Sequence, residues 1–258
     1  METLTHTFTA PSGIEYTIRE QNGQDEEILT NVGEATRFMN INNFLQAILM
    51  GSSIKPNAKY TMEEILRIPL LDRQCILLQS RIFSIGEIME FSYKWLVPNS
   101  EALQKLEYEQ DLNEFLLDYS NREGITEEEI EAKPHALPFY PNPVDQALIF
   151  DLQSGKKIRF HLFDGNSELY VMRLPEVDRT RNTDIIARGL ELQVEGKWDR
   201  VTNFSLFSTR DMRQLRKLVN DYDPTPSLET TVENPTTGEV ISVPVMSFTD
   251  FFFPEEDA

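Results

Sequence analysis

The chain contains one cysteine, Cys75, in 258 residues. That excludes an internal disulfide and any metal site built from several thiolates. Histidine is almost as scarce, since His6, His135 and His161 lie far apart and make no His-x-His or HExxH spacing. Zinc or iron chemistry therefore has no ligand set to start from. No apolar run approaches the roughly 18 residues of a membrane helix, and the opening METLTHTFTAPSG lacks the basic and apolar regions of a secretion signal. A cytoplasmic location is the expectation. Basic residues are also in short supply, 24 against 43 acidic, for a net charge of -19. Nucleic acids and anionic membranes are bound mainly through Lys and Arg, so neither is an expected partner. Walker, dinucleotide and Gly-x-Ser-x-Gly motifs are missing as well, and no cofactor or small-molecule substrate is expected.

What is present is an ordinary globular balance, 40% hydrophobic and 26% charged, enough to build a buried core. It also contains a repeat. FTAPSGIEYTIREQNGQDEEIL at residues 8 to 29 matches FDLQSGKKIRFHLFDGNSELYV at 150 to 171. At a constant offset of 142, Phe8 meets Phe150, Ser12 meets Ser154, Gly13 meets Gly155, Gly23 meets Gly165 and Glu26 meets Glu168. Each stretch reads as a hairpin turning at Ser-Gly, followed by a second glycine and an acidic helix start, where carboxylates suit the positive end of the helix dipole.

Further on, helices are predicted over Asn43 to Met50 and Pro69 to Phe83, and again over Asp184 to Leu192 and Ser208 to Tyr222. Matching Asp72 with Asp211 shortens the offset to 139. EIMEFSYKW and LQKLEYE form one predicted hairpin; the runs flanking Asn234 to Gly238 form the other. Both stretches close alike, with DLNEFLL facing SFTDFFF at an offset of 136. The expected fold class is α+β, as two diverged copies of a hairpin–helices–hairpin module. Residues 1–120 make the first module, an acidic and proline-rich linker covers 121–145, and 146–258 make the second.

No constellation asks for catalysis. Cys75 shares a helical stripe with Leu71 and Leu78, which suits packing better than nucleophilic attack. With 43 acidic residues, some carboxylate pair always looks suggestive for acid–base work. Glu127, Glu128 and Glu129 read as a solvated helix start. Two apolar features stand out as candidate partner-binding positions. One is the helix face of Phe44, Leu45 and Ile48, which is either core or partner groove. The other is the C-terminal run Phe251, Phe252, Phe253 and Pro254. Those aromatics suit a docking peptide, but the match of FTDFFF to LNEFLL suggests that they complete the core of the second module.

The order of these motifs resembles the T4-like baseplate hub assembly chaperones of contractile-tailed phages. The residues that carry the resemblance are Ser154, Gly155, Gly165 and Glu168, the Arg-rich helix from Arg210 to Arg216, Asp223 and Pro224, and Phe251 to Pro254. The resemblance covers most of the chain. It implies a non-enzymatic assembly factor of the infected bacterial cytoplasm, present also in the virion tail if it stays in place, with other phage baseplate hub and tail proteins as partners. A permanent structural subunit of the baseplate is the alternative within that setting. An acidic inhibitor mimicking DNA toward a host DNA-binding enzyme is the alternative outside it. Relatives commonly carry half a zinc knuckle, Cys-Pro-x-Cys-Gly, at the last hairpin. Here the stretch is Asn234, Pro235, Thr236, Thr237 and Gly238, so the turn remains and both ligands are replaced.

Overall fold

The computed structural model describes residues 3–56, 58–97, 102–120, 147–223, 228–247 and 249–253. The fold is α+β. It opens with β1 (Thr5–Thr9) and β2 (Glu15–Arg19), an antiparallel hairpin in which Phe8, Tyr16 and Ile18 alternate inward. The turn between them closes through Ala10 N–H to Ile14 O at 2.9 Å and Gly13 N–H to Ala10 O at 2.8 Å, with Gly13 at φ 84°. The hairpin β6 (Leu148–Asp151) and β7 (Lys157–Phe160) has the same turn. Leu152 N–H donates to Lys156 O and Gly155 N–H to Leu152 O, both at 2.8 Å, with Gly155 at φ 82°. A side chain other than glycine is strained at that φ.

After the first hairpin come α1 (Gly23–Leu29), α2 (Val32–Ala35), α3 (Asn40–Ile48) and β3 (Leu49–Ser52). β3 returns to pair with β2, giving the order β1-β2-β3. α4 (Met62–Leu66) and α5 (Leu70–Ser84) follow, then the long hairpin β4 (Ile88–Leu96) and β5 (Leu103–Asp111), and α6 (Asn113–Ser120). In the second half, β6 and β7 lead to α7 (Gly165–Arg173), α8 (Thr183–Ala187), β8 (Glu191–Val194) and β9 (Lys197–Arg200), in the sheet order β6-β7-β8-β9. α9 (Thr209–Tyr222), the hairpin β10 (Glu229–Glu233) and β11 (Val240–Pro244), and α10 (Thr249–Phe252) complete the chain.

Two expected helices are shorter than their apolar pattern suggests. The segment from Asn43 to Met50 leaves the helix at Leu49, and the segment from Asp184 to Leu192 leaves it at Arg188, turns through Gly189 at φ 68°, and becomes β8. In both places an apolar run passes from helix to a strand that pairs with the second strand of the preceding hairpin. A short buried strand and a buried helical turn carry the same apolar residues, so periodicity cannot part them.

The packing does not describe two self-contained modules. One core takes Phe8, Tyr16, Ile18, Phe44, Leu45, Ile48, Leu78, Phe91 and Trp95 from the first half, together with Leu228, Val232, Val245 and Phe251 from the end of the chain. The other, among the described residues, draws on residues between Leu148 and Val219. The last hairpin thus crosses over. Tyr108 on β5 donates its hydroxyl to Glu233 O at 2.9 Å, Thr230 donates to Gln110 Oε1 at 2.6 Å, and the Phe252 ring meets Phe44 edge-on at 6.3 Å. The linker expected over 121–145 lies outside the described residues.

Candidate functional site

The start of α5 holds a sealed polar knot. Pro69 is its N-cap and has no N–H to receive a carboxylate, so the third helical residue, Asp72, is free to turn elsewhere. It accepts from Ser12 N–H at 3.0 Å, Ser12 Oγ at 2.5 Å and the Tyr16 hydroxyl at 3.1 Å, which fastens the first turn to the long helix. Burial pushes its carboxyl up to about 6 against those three donors. Burial likewise raises Tyr16 and Cys75. A thiol pushed upward in this way is a poor nucleophile. Beside the knot, Ser52 and Tyr60 share a hydrogen bond, and Lys55 holds Glu64 down to about 2.

A second group spans the two halves. Arg73 is 2% exposed and reaches three acceptors: Asn42 Oδ1 at 2.7 Å, Ile65 O at 3.1 Å and the Glu168 carboxylate at 3.2 Å. Around it, Leu70 N–H donates to Phe163 O at 2.7 Å and Asn166 Nδ2 to Leu66 O at 3.1 Å. Gly165 lies in close quarters here, since a Cβ on it would lie 3.0 Å from Arg73 Nη1 and 3.1 Å from Leu66 Cα. Gly23, its counterpart in the repeat, has nothing within 4 Å of such a Cβ. Farther inside the second half, Arg188 and Asp223 form a buried pair at 2.7 Å, with Phe163 stacked under the guanidinium at 4.8 Å.

Two open grooves border these groups, one at Asn166 and one at Ser52. One of about 390 Å³ is lined by Asn166, Leu169, Tyr170, Arg173 and Leu174. The other, about 230 Å³, runs past Thr7, Glu15, Thr17, Met50 and Ser52. Neither is lined by Asp72, Tyr16 or Cys75. Among the described residues, no group of three or more His, Cys, Asp or Glu side chains is placed to hold a metal ion. No helix among them is long and apolar enough to cross a membrane.

The structure moves most of the expected partner-facing residues indoors. Phe44, Leu45 and Ile48 are fully buried in the first core, because α3 is walled in by α1, α4 and α5; a partner groove there is corrected to core. Phe251 is fully buried, and Phe252 and Phe253 are partly buried against the same core. They complete the first half's core rather than the second's. Pro254, the Glu127 to Glu129 run and His135 lie outside the described residues. His6 bonds Gln79 at 3.0 Å, and His161 is exposed. At the last hairpin, the Asn234 carboxamide accepts from Thr236 N–H at 2.9 Å and shapes the turn.

Sequence reasoning passed over the end of the β4–β5 hairpin. Leu96 and Leu103 face each other across the strands and are 63% and 61% exposed. The available signal was register: Trp95 points to the core, so period-two alternation turns Leu96 outward. Their neighbours on that outer face are Lys94, Lys105, Glu107 and the Glu90–Glu109 pair. No protein-family model matches the chain, and no curated protein or solved structure matches it.

Proposed function

We propose that the chain is a non-enzymatic, protein-binding assembly factor, acting on the central hub of a contractile phage tail baseplate during virion morphogenesis. The observation that carries the protein-binding part is where apolar side chains remain bare. Leu96 and Leu103 form a matched pair at the end of a hairpin of two nine-residue strands whose opposite face is anchored by Met89, Phe91 and Trp95. A ribbon that ends in two exposed leucines suits contact with another macromolecule. The order of motifs from Ser154 to Phe253 supports the baseplate setting.

Co-expression with baseplate hub and spike proteins, followed by size-exclusion chromatography, tests the reading. A complex is expected with one of them, weakened by Leu96→Asp with Leu103→Asp at unchanged thermal stability. Absence of a complex with any hub component overturns the baseplate reading. Mass spectrometry of purified virions then separates a transient helper, expected to be absent, from a permanent subunit at fixed stoichiometry.

A further inference from the structure

α9 repeats α5 in sequence position but not in surroundings. With Asp72 matched to Asp211, the residues Leu71, Gln74 and Leu78 of α5 correspond to Arg210, Arg213 and Lys217 of α9. Leu71 and Leu78 are buried, and α6 packs against α5. The counterpart of α6 is α10, and it lies on β4 within the first core instead. The corresponding face of α9 is left open. Met212, Leu215 and Val219 bury its inner side, while Arg210, Arg213 and Lys217 stand exposed on the outer one. Residues three, four and seven apart share one helix face. Among the described residues, Lys217 pairs only with Asp221 on its own helix, and Arg210 and Arg213 make no ion pair.

Charge is segregated along the chain to match. Residues 147–223 carry 13 basic and 12 acidic side chains, and the rest of the chain carries 11 basic and 31 acidic. A cationic helix face on a strongly anionic molecule selects its partner by sign. A nucleic-acid backbone is repelled by most of the molecule, whereas a short acidic protein segment engages the stripe locally.

We infer that the Arg210–Arg213–Lys217 face of α9 docks an acidic segment of a partner protein, at positions whose α5 counterparts Leu71 and Leu78 are buried in this chain's own core. The inference rests on the assembly-factor reading only for which protein supplies that segment.

The test uses the full chain and a short fluorescein-labelled polyglutamate peptide, read by anisotropy at low and at physiological salt. Wild type is expected to bind, more weakly as salt rises. The variant Arg210→Glu/Arg213→Glu/Lys217→Glu is expected to lose about tenfold or more in affinity. The control Lys94→Glu/Lys105→Glu, on the β4–β5 hairpin, is expected to keep it. Circular dichroism melting verifies that the exposed substitutions leave the fold intact. Equal binding by the α9 variant overturns the inference, as does a wild type that binds no peptide or prefers duplex DNA. Binding that appears only after Glu127→Gln, Glu128→Gln and Glu129→Gln also overturns it, because the occupant is then this chain's own acidic run. An α9 variant that loses the peptide but still co-elutes fully with hub proteins leaves the assembly reading standing and removes this face from it. Peptide binding without any hub complex keeps the docking face and discards the hub.

Discussion

Asp72 and Asp211 occupy the third position of the long helix in each half, opposite a Ser-Gly turn, and their surroundings differ in sign. Asp211 closes a capping box with Ser208 and takes Lys156 Nζ at 2.8 Å, and that ammonium, ahead of the Ser154 hydroxyl, holds its carboxyl below the usual range. Asp72 has a proline where the cap would be and only neutral donors, so burial dominates and raises it. The same acidic residue is a buried, ion-paired latch in one half and a buried knot held by neutral donors, with a raised titration point, in the other. The difference follows what covers each helix. α5 packs against β2, α3 and α6 within the first core; α9 has one face to solvent.

Breaking the crossover has the largest expected effect. Phe251→Ala removes a fully buried ring and is expected to cost about 3–5 kcal/mol in urea unfolding. Native-state hydrogen exchange locates the loss: amides around Phe44 and Leu45 lose protection while those of Leu192 and Val201 hold. Loss confined to the second core contradicts the packing described above.

The contrast of the two carboxylates is sharpened by pH. Because burial raises the folded-state value of Asp72 to about 6, above the ordinary carboxylate value of roughly 4, its stabilising contribution is complete below pH ~4 and is lost as pH rises through about 6, a change of about 3 kcal/mol. Asp211 is lowered, so its contribution is present above the ordinary carboxylate range and fades as pH falls. Unfolding free energies of wild type and Asp72→Asn, subtracted pH by pH between 4 and 7, are expected to trace the Asp72 decline. A flat difference sinks the assignment. The Lys156→Met variant is expected to lose stability near neutrality and converge on wild type in acid.

The smallest effect separates two glycines that align in sequence. Gly165→Ala crowds Arg73 and the Leu66 backbone and is expected to cost about 1 kcal/mol. Gly23→Ala meets open space and is expected to be neutral or to gain a few tenths of a kcal/mol from helix propensity. Equal effects at the two sites remove the close seam at Arg73.

Much of the local structure was legible. Ser12-Gly13 and Ser154-Gly155 mark their turns because positive φ is a property of one residue. The Ser208 to Tyr222 helix announces itself through its cap and the spacing of Met212, Leu215 and Val219. The strand at Leu49 escaped because it follows its helix without a breaker, whereas the strand at Glu191 follows Gly189, a stop signal that the apolar run masked; each pairs with the hairpin beside it. Phe44, Leu45 and Ile48 read as core more readily than as groove, and the enclosing helices make them core. Leu96 and Leu103 were legible in register but overlooked beside the conspicuous terminal aromatics.

What the sequence by itself determined is everything that depends on neighbours along the chain: the α+β class, both Ser-Gly turns, the long helices, the charge balance and the parallel order of motifs. Only the tertiary structure decided where the last hairpin goes. Its apolar residues would satisfy either core, and hydrophobic burial is non-directional. The choice was made by shape and by specific partners at the first core, Tyr108, Gln110 and Phe44, which no local pattern near residues 228–253 contains.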